Sequence, residues 1–205
     1  MAYDKDTIRT LVIDGVRTGK YPPGARVKIS ELAGLARMSP IPVRETLAQL
    51  VGEGFLAELR GVGFLVPRRH AYELEQIYRL RGLLAVAAVP LLLARKSFGS
   101  DMMPVDAPLW DWFVAEAQDS AIATAWLQTD RALLPYRRYE PQLPVDGDLV
   151  RNFSIAMGTR DARRLRTLAR RSHDALARAA PLIVRRAEAK EYGEYILNID
   201  ASNRS

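Results

Sequence analysis

Cysteine is absent from the chain, which excludes disulfides, zinc–thiolate sites, iron–sulfur clusters and a cysteine nucleophile, and suits a reducing compartment. Histidine is nearly absent. With only His70 and His173 available, a three-histidine zinc site cannot be built within one chain. Long apolar runs are missing as well: the longest, GLLAVAAVPLLLA at residues 82–94, falls short of the ~20 residues a bilayer requires and reads as a buried core helix. The opening MAYDKDTIRT carries acids where an export signal is basic and then apolar, so a cytoplasmic location is expected. There is no phosphate-cradling glycine loop and no nucleophile elbow, and no catalytic set stands out. The chain does not read as an enzyme.

What is present is an ordinary globular composition, 48% hydrophobic and 26% charged over 205 residues, enough for one large domain or two modest ones. The formal charge is +6. It is unevenly distributed. Residues 1–70 hold 11 basic and 7 acidic side chains, whereas residues 71–205 hold 19 and 17, so positive charge is denser in the first third. That balance permits a polyanionic partner without requiring one.

From Thr7, the spacing of Ile8, Leu11, Val12 and Val16 predicts a helix that Gly19 and the Tyr21-Pro22-Pro23-Gly24 turn bring to an end. Ser30 then stands as N-cap to a short helix with Leu32, Leu35 and Ala36 on one face. Ser39 caps a third helix with Pro40 at its first position and Pro42 in its first turn, its buried face being Val43, Leu47 and Leu50. Residues 55–59 and 63–66 flank Arg60-Gly61-Val62 as a hairpin. Three helices followed by a hairpin make a winged helix-turn-helix, whose third helix can enter the DNA major groove. After a linker at 67–70 the chain reads as helical at 72–96, 106–139, 148–157 and 161–192, with Pro90 and Pro181 as kinks and 141–147 as a loop. In the last segment Leu165, Leu168, Ala169, Leu176, Ala179 and Ile183 share a face, as in a bundle. The expected fold is therefore mainly α: a winged helix-turn-helix at 1–69, then an all-helical bundle domain at 70–205.

The string GKYPPGARVKISELAGLARMSPIPVRETLAQLVGEGFLAELRGVGFLVPRR, residues 19–69, resembles the DNA-binding domain of the GntR family of bacterial transcription regulators. Its most specific parts are YPPGARV, ISELA, MSPIPVRETLAQL, the following EGF and the glycine-marked wing. The continuation ELEQIYRLRGLLAVAAV is similar to the start of the all-helical effector domain of the FadR-like subfamily. The resemblance implies DNA binding. Arg44 matches an arginine the family uses on DNA, while Ser39 and the helix N-terminus suit a phosphate oxygen. Arg37 flanks the turn, Lys28 adds a backbone contact, and Gly61 and Gly63 let the wing approach closely. Pro40 stands where family members have arginine, so no guanidinium reads a guanine from there. Taken singly, Ser39 is also an ordinary cap, Arg44 an ordinary partner for a glutamate and Gly61 an ordinary hairpin residue; their combined spacing favours DNA. The run RDARRLRTLARR at 160–171 reads as a solvated face, and Trp110, Trp112 and Trp126 as core or interface.

In the FadR-like subfamily one aspartate and three histidines commonly hold a metal that helps to bind a carboxylate effector. Here Asp106 matches the aspartate, but Trp110, Val150 and Ser172 fall at the histidine positions. No metal and no other cofactor is therefore expected. His173 lies one place off, about 100° around the helix. Arg81 matches the subfamily's arginine, with Ala85 where a glutamate is usual. Arg81, Asp106, Trp110, Val150 and Ser172 are thus the candidate effector lining, with Arg81 either gripping an anion or ion-paired to a neighbouring helix. The reading is a homodimeric transcription regulator, a repressor, bound to a double-stranded DNA operator, controlled by a small-molecule effector and unconnected with membranes. The alternative is a non-sensing architectural or protein-interaction module that keeps only the winged helix.

Overall fold

The computed structural model describes residues 5–95, 109–141 and 146–202. They form two compact units, one of Met1–His70, Arg131–Tyr139 and Leu182–Ser205, the other of Ala71–Asp130 and Glu140–Pro181.

The first unit opens with α1 (Lys5–Thr18), α2 (Ile29–Ala36) and α3 (Pro40–Gly52). Their apolar faces meet in one core, where Ile8, Val12, Leu32, Val43, Leu47 and Leu50 are fully buried. The hairpin consists of β2 (Ala57–Leu59) and β3 (Gly63–Leu65), and β1 (Arg26–Val27) adds a third strand. The order is β1-β3-β2, all antiparallel, with Val27 opposite Phe64 and Glu58 opposite Phe64 on the other side. Phe64 is buried and closes the core from the wing side. Ser30 is not the cap of α2. Lys28 holds that position, because its carbonyl already accepts the first helical bond from Leu32, leaving Ser30 inside the first turn. Residues 131–139 join this unit through Leu134, which packs on the core, and Tyr136, whose hydroxyl accepts the Arg69 N–H at 2.7 Å.

The second unit is helical throughout its described residues. It contains α4 (Ala71–Ala94), α5 (Leu109–Glu116), α6 (Ser120–Leu133, which runs on into the first unit), α7 (Asp146–Gly158) and the first half of α8 (Ala162–Ser202). The expected single helix over 106–139 is broken. Gln118 adopts the left-handed region (φ 54), Asp119 caps α6 by accepting the Ile122 N–H at 2.8 Å, and Pro135 prevents α6 from continuing. By length and composition α4 would cross a bilayer, because the helix begins eleven residues before the apolar run. Its Tyr78, Ala85, Ala88, Val89 and Leu92 are instead fully buried within the protein, and it buries a charged residue, Arg81. Phe113, Phe153, Leu165 and Ala169 complete this core.

On α8 the expected Leu165, Leu168, Ala169 and Ile183 are buried, but the stripe between them runs differently. Leu165, Ala169, His173, Ala177 and Ala180 are buried and follow near-i+4 spacing, whereas Leu176 and Ala179 are only half-buried. His173 is therefore inside the bundle. Gly82 on α4 makes room for it, since a Cβ there would lie 3.1 Å from the His173 Cβ. The arginines at 160–171 are exposed, with Arg164 donating to Asn152 at 2.7 Å.

Candidate nucleic-acid interface

The turn between α2 and α3 is closed by two backbone bonds: the Arg37 N–H donates to the Gly34 carbonyl and the Met38 N–H to the Ala33 carbonyl. This is a Schellman arrangement, with Met38 packed on the core below it. Its left-handed residue is Arg37 (φ 50, ψ 44), where glycine or asparagine is usual. A cation is thereby held on the surface of the turn, at a backbone cost of about 1 kcal/mol.

The first turn of α3 has unusual chemistry. Of the four amides that a helix N-terminus leaves without an internal partner, those at Pro40 and Pro42 do not exist, leaving Ser39 and Ile41. The helix start is consequently a weaker phosphate site than its dipole alone suggests. Ser39 has the extended backbone of an N-cap but makes no side-chain capping bond, and of the two amides such a side chain bonds, the third-position one is removed by Pro42. Ser39 and Pro40 are both exposed. The buried face of α3 is Val43, Thr46, Leu47 and Leu50, and Arg44 points away from it, its side chain 69% exposed. Among the described residues Arg44 pairs with Glu58 on β2, loosely, at 3.8 Å.

Arg44 borders a groove of about 820 Å³ framed by α3, the start of α2 and the wing. Arg26, Lys28, Arg44 and Arg60 line it, against a single carboxylate, Glu58. Gly61 (φ +79) and Gly63 (φ +101) form the wing side. Nothing lies within 4 Å of where a Gly61 Cβ would stand, so the wing tip is open to an approaching backbone. Of the residues singled out from sequence, Lys28, Arg44, Gly61 and Gly63 share this groove, while Arg37, Ser39 and Pro40 lie on the turn and helix tip outside its lining. Arg26 and Arg60 were missed. Arg60 stands beside the turn glycine and was readable there; Arg26 was not, because a two-residue strand leaves no periodic signal.

Behind this surface, α3 is fixed from its far end. Arg9 on α1 donates twice to Glu53, the residue that ends α3, at 2.6 Å each, and Arg131 donates to the Glu53 carbonyl at 3.1 Å. The Arg9 bonds hold the Glu53 carboxyl below its ordinary value, against the opposing effect of burial. Both guanidinium groups also lie over the Phe55 ring.

Of the residues expected to line an effector site, Arg81 and Ser172 are buried, Trp110 is half-buried and Val150 is exposed. Arg81 is buried, and its guanidinium stacks 3.7 Å from the Trp126 ring centre, bonds to Asp111 at 2.6 Å and to Thr129 at 3.2 Å, and pairs with Asp130 at 3.5 Å. The ion-paired alternative is the one realised, in place of an arginine presented to an external anion. Asp111 also accepts the Trp126 indole N–H at 2.6 Å. Trp110 fills space, with edge contacts to Phe113 and Phe153 and a tilted contact to His173, at 5.5–5.6 Å between ring centres. Ser172 is buried and donates to the Leu168 carbonyl, and the His173 Nδ1–H donates to Ala169 at 2.8 Å. Val150 is 51% exposed, because the inward face of α7 is Leu149, Phe153, Ala156 and Met157, one place round the helix. Asp106 lies outside the described residues. Among the described residues no group of three or more histidines and carboxylates is placed to hold a metal.

Residues 5–66 match the model of the gntR family of bacterial regulatory proteins. The Nta operon transcriptional regulator of Aminobacter aminovorans is 37% identical over 75 residues, 37% of this chain and 36% of that protein, so the match spans about a third of that relative. The structure of E. coli McbR/YncC is 19% identical, with a TM-score of 0.62 over 93% of this chain and 98% of that one. A chain from Rhodococcus sp. RHA1 described as a transcriptional regulator GntR is 12% identical, with a TM-score of 0.69 over 86% of this chain and 96% of its own. At such low identity these two structures share a fold with this protein. The family match takes in α3, the wing and the cationic groove between them, so the winged helix of residues 5–66 is similar to that of the gntR family of bacterial regulatory proteins.

Proposed function

We propose that the protein is a cytoplasmic transcription regulator that binds a double-stranded DNA operator as a homodimer and represses by occupying it. The observation that carries this reading is the groove with four cations and one carboxylate beside the exposed side of α3. A helix presented to the major groove and a glycine wing at the backbone fit that charge pattern. Dimerisation is assigned to the helical region. On α4, Leu80, Leu83 and Leu91 are 45%, 62% and 37% exposed and follow the 3-4-4 spacing of a helix-pairing stripe through Ala87, whereas the winged helix is basic and self-repelling.

The effector reading changes in kind. With Arg81 engaged by two carboxylates, an anionic effector lacks its anchor, and the helical region reads as a FadR-like domain without its metal. A cavity of about 300 Å³ between α5 and α6, walled by Val114, Trp126 and Leu127 with Asp111 and Asp130 at its edge, suits an apolar effector that is neutral or cationic. The engaged state of Arg81 equally favours the second reading, a DNA-binding module that senses nothing.

The test is titration of the full chain with duplexes enriched from a random-sequence pool. The expected result is tight binding that falls steeply with salt and is one dimer per duplex by sedimentation. Failure to enrich any sequence, even at low salt, overturns the reading.

A further inference from the structure

Ile41 is 71% exposed, the highest value among the exposed large apolar side chains of the described residues. It belongs to the first turn of α3, yet contributes nothing to the core, which uses Val43, Leu47 and Leu50 of the same helix. Its neighbours are Pro40, exposed, and Pro42, half-buried. Neither has a side-chain donor or an amide N–H, so the segment Pro40-Ile41-Pro42 presents carbon and a single amide. The side chains of these three residues cannot read a base edge by hydrogen bonds. The one apolar group that a base pair displays in the major groove is the thymine C5-methyl.

We propose that Ile41 packs against a thymine methyl in the major groove, making thymine at one fixed place in each half-site a determinant of specificity. The inference rests on the DNA-binding reading given above. Charge decides the occupant: Arg37 and Arg44, both exposed, stand on either side of this apolar tip in sequence, and the groove next to Arg44 carries Lys28, Arg26 and Arg60. An apolar protein surface has no use for that ring of cations, whereas a DNA groove walled by phosphates does. The hydrogen-bonding readout then falls to Arg44, one turn further along, and to the Ser39 hydroxyl.

The experiment uses the full chain and the duplex enriched by it, with each thymine replaced in turn by deoxyuridine, which removes only the methyl group. The expected result is a position in each half-site where the replacement weakens binding about fourfold, the effect of one buried methyl-sized group. Ile41→Ala should weaken binding by a similar factor and should abolish the sensitivity to deoxyuridine at that position, while Ile41→Val retains it. An exposed residue can be changed without unfolding the helix, and the circular dichroism of the variants should equal that of the parent. Specific binding with no deoxyuridine-sensitive thymine, or with a thymine equally sensitive in Ile41→Ala, overturns the proposal and leaves the DNA reading standing. A shift in the sedimentation of DNA-free protein on Ile41→Ala also overturns it, since that makes the tip a protein contact. Absence of any specific DNA binding overturns both.

Discussion

Arg44 and Arg81 are the same side chain in opposite circumstances. Arg44 is 69% exposed and stands 3.8 Å from one half-exposed carboxylate, while Arg81 is 3% exposed and meets Asp111, Asp130, Thr129 and the face of Trp126. Water screens the first and leaves its charge available to a polyanion. The second is desolvated, and its partners consume its bonding capacity inside the chain. The resemblance alone marks both as candidate ligand-binding arginines; burial and counter-charge separate an arginine open to solvent from one engaged inside the chain.

The sharpest way to break this contrast is to remove Arg81. Arg81→Met should destabilise the helical unit by about 3 kcal/mol, because Asp111 and Asp130 lose their cation while remaining partly buried. Denaturant unfolding measures it, and adding Asp111→Leu should recover part of the loss; a neutral Arg81→Met would show that the cluster is ornamental. Arg44→Ala should leave the unfolding curve within about 0.5 kcal/mol of the parent and weaken DNA binding by about 1–3 kcal/mol. If Arg44 reads a base, the loss is confined to sequences carrying that base; if it touches phosphate, all duplexes lose alike.

A smaller effect of opposite sign is expected at the turn. Arg37→Gly should stabilise the winged helix by up to about 1 kcal/mol, since glycine adopts the left-handed region without strain, and should lower the salt dependence of DNA binding by removing a cation. Unchanged stability would mean that the φ of 50 carries no cost. Smallest is Glu53→Gln, which should cost about 1 kcal/mol or less at neutral pH, given that Arg9 and Glu53 are each about a third exposed. The Glu53 carboxyl titrates below its ordinary 4.5, so its contribution is complete above that value and is lost as pH falls through the lower, folded one. The gap between parent and variant should therefore be flat from pH 7 to about 5 and close in stronger acid. A gap that widens in acid would contradict the assigned bonding.

The winged helix was legible because its signals are local. Val43, Leu47 and Leu50 repeat at helical spacing, Pro40 falls where only a helix start tolerates it, and Gly61 marks the hairpin. β1 was not legible, since Arg26 and Val27 become a strand only through pairing with Leu65 and Phe64. The helical region was legible in class and not in detail. Reading the stripe of α8 from its most apolar letters selected Leu176 and Ala179, when the geometric continuation from Leu165 and Ala169 runs through His173. Arg81 could be placed on a helix from sequence, but its partner Asp111 lies 30 positions away on another, and no spacing rule reaches across helices.

The two prolines at the tip of α3 also act before any DNA is met. Each ring locks one backbone angle near its helical value, so the chain has less freedom to lose there, both when it folds and when the tip settles into a groove. A recognition helix that begins this way fits its target as a rigid edge: it can discriminate against a shifted or misshapen groove, but it cannot reshape its first turn to follow one.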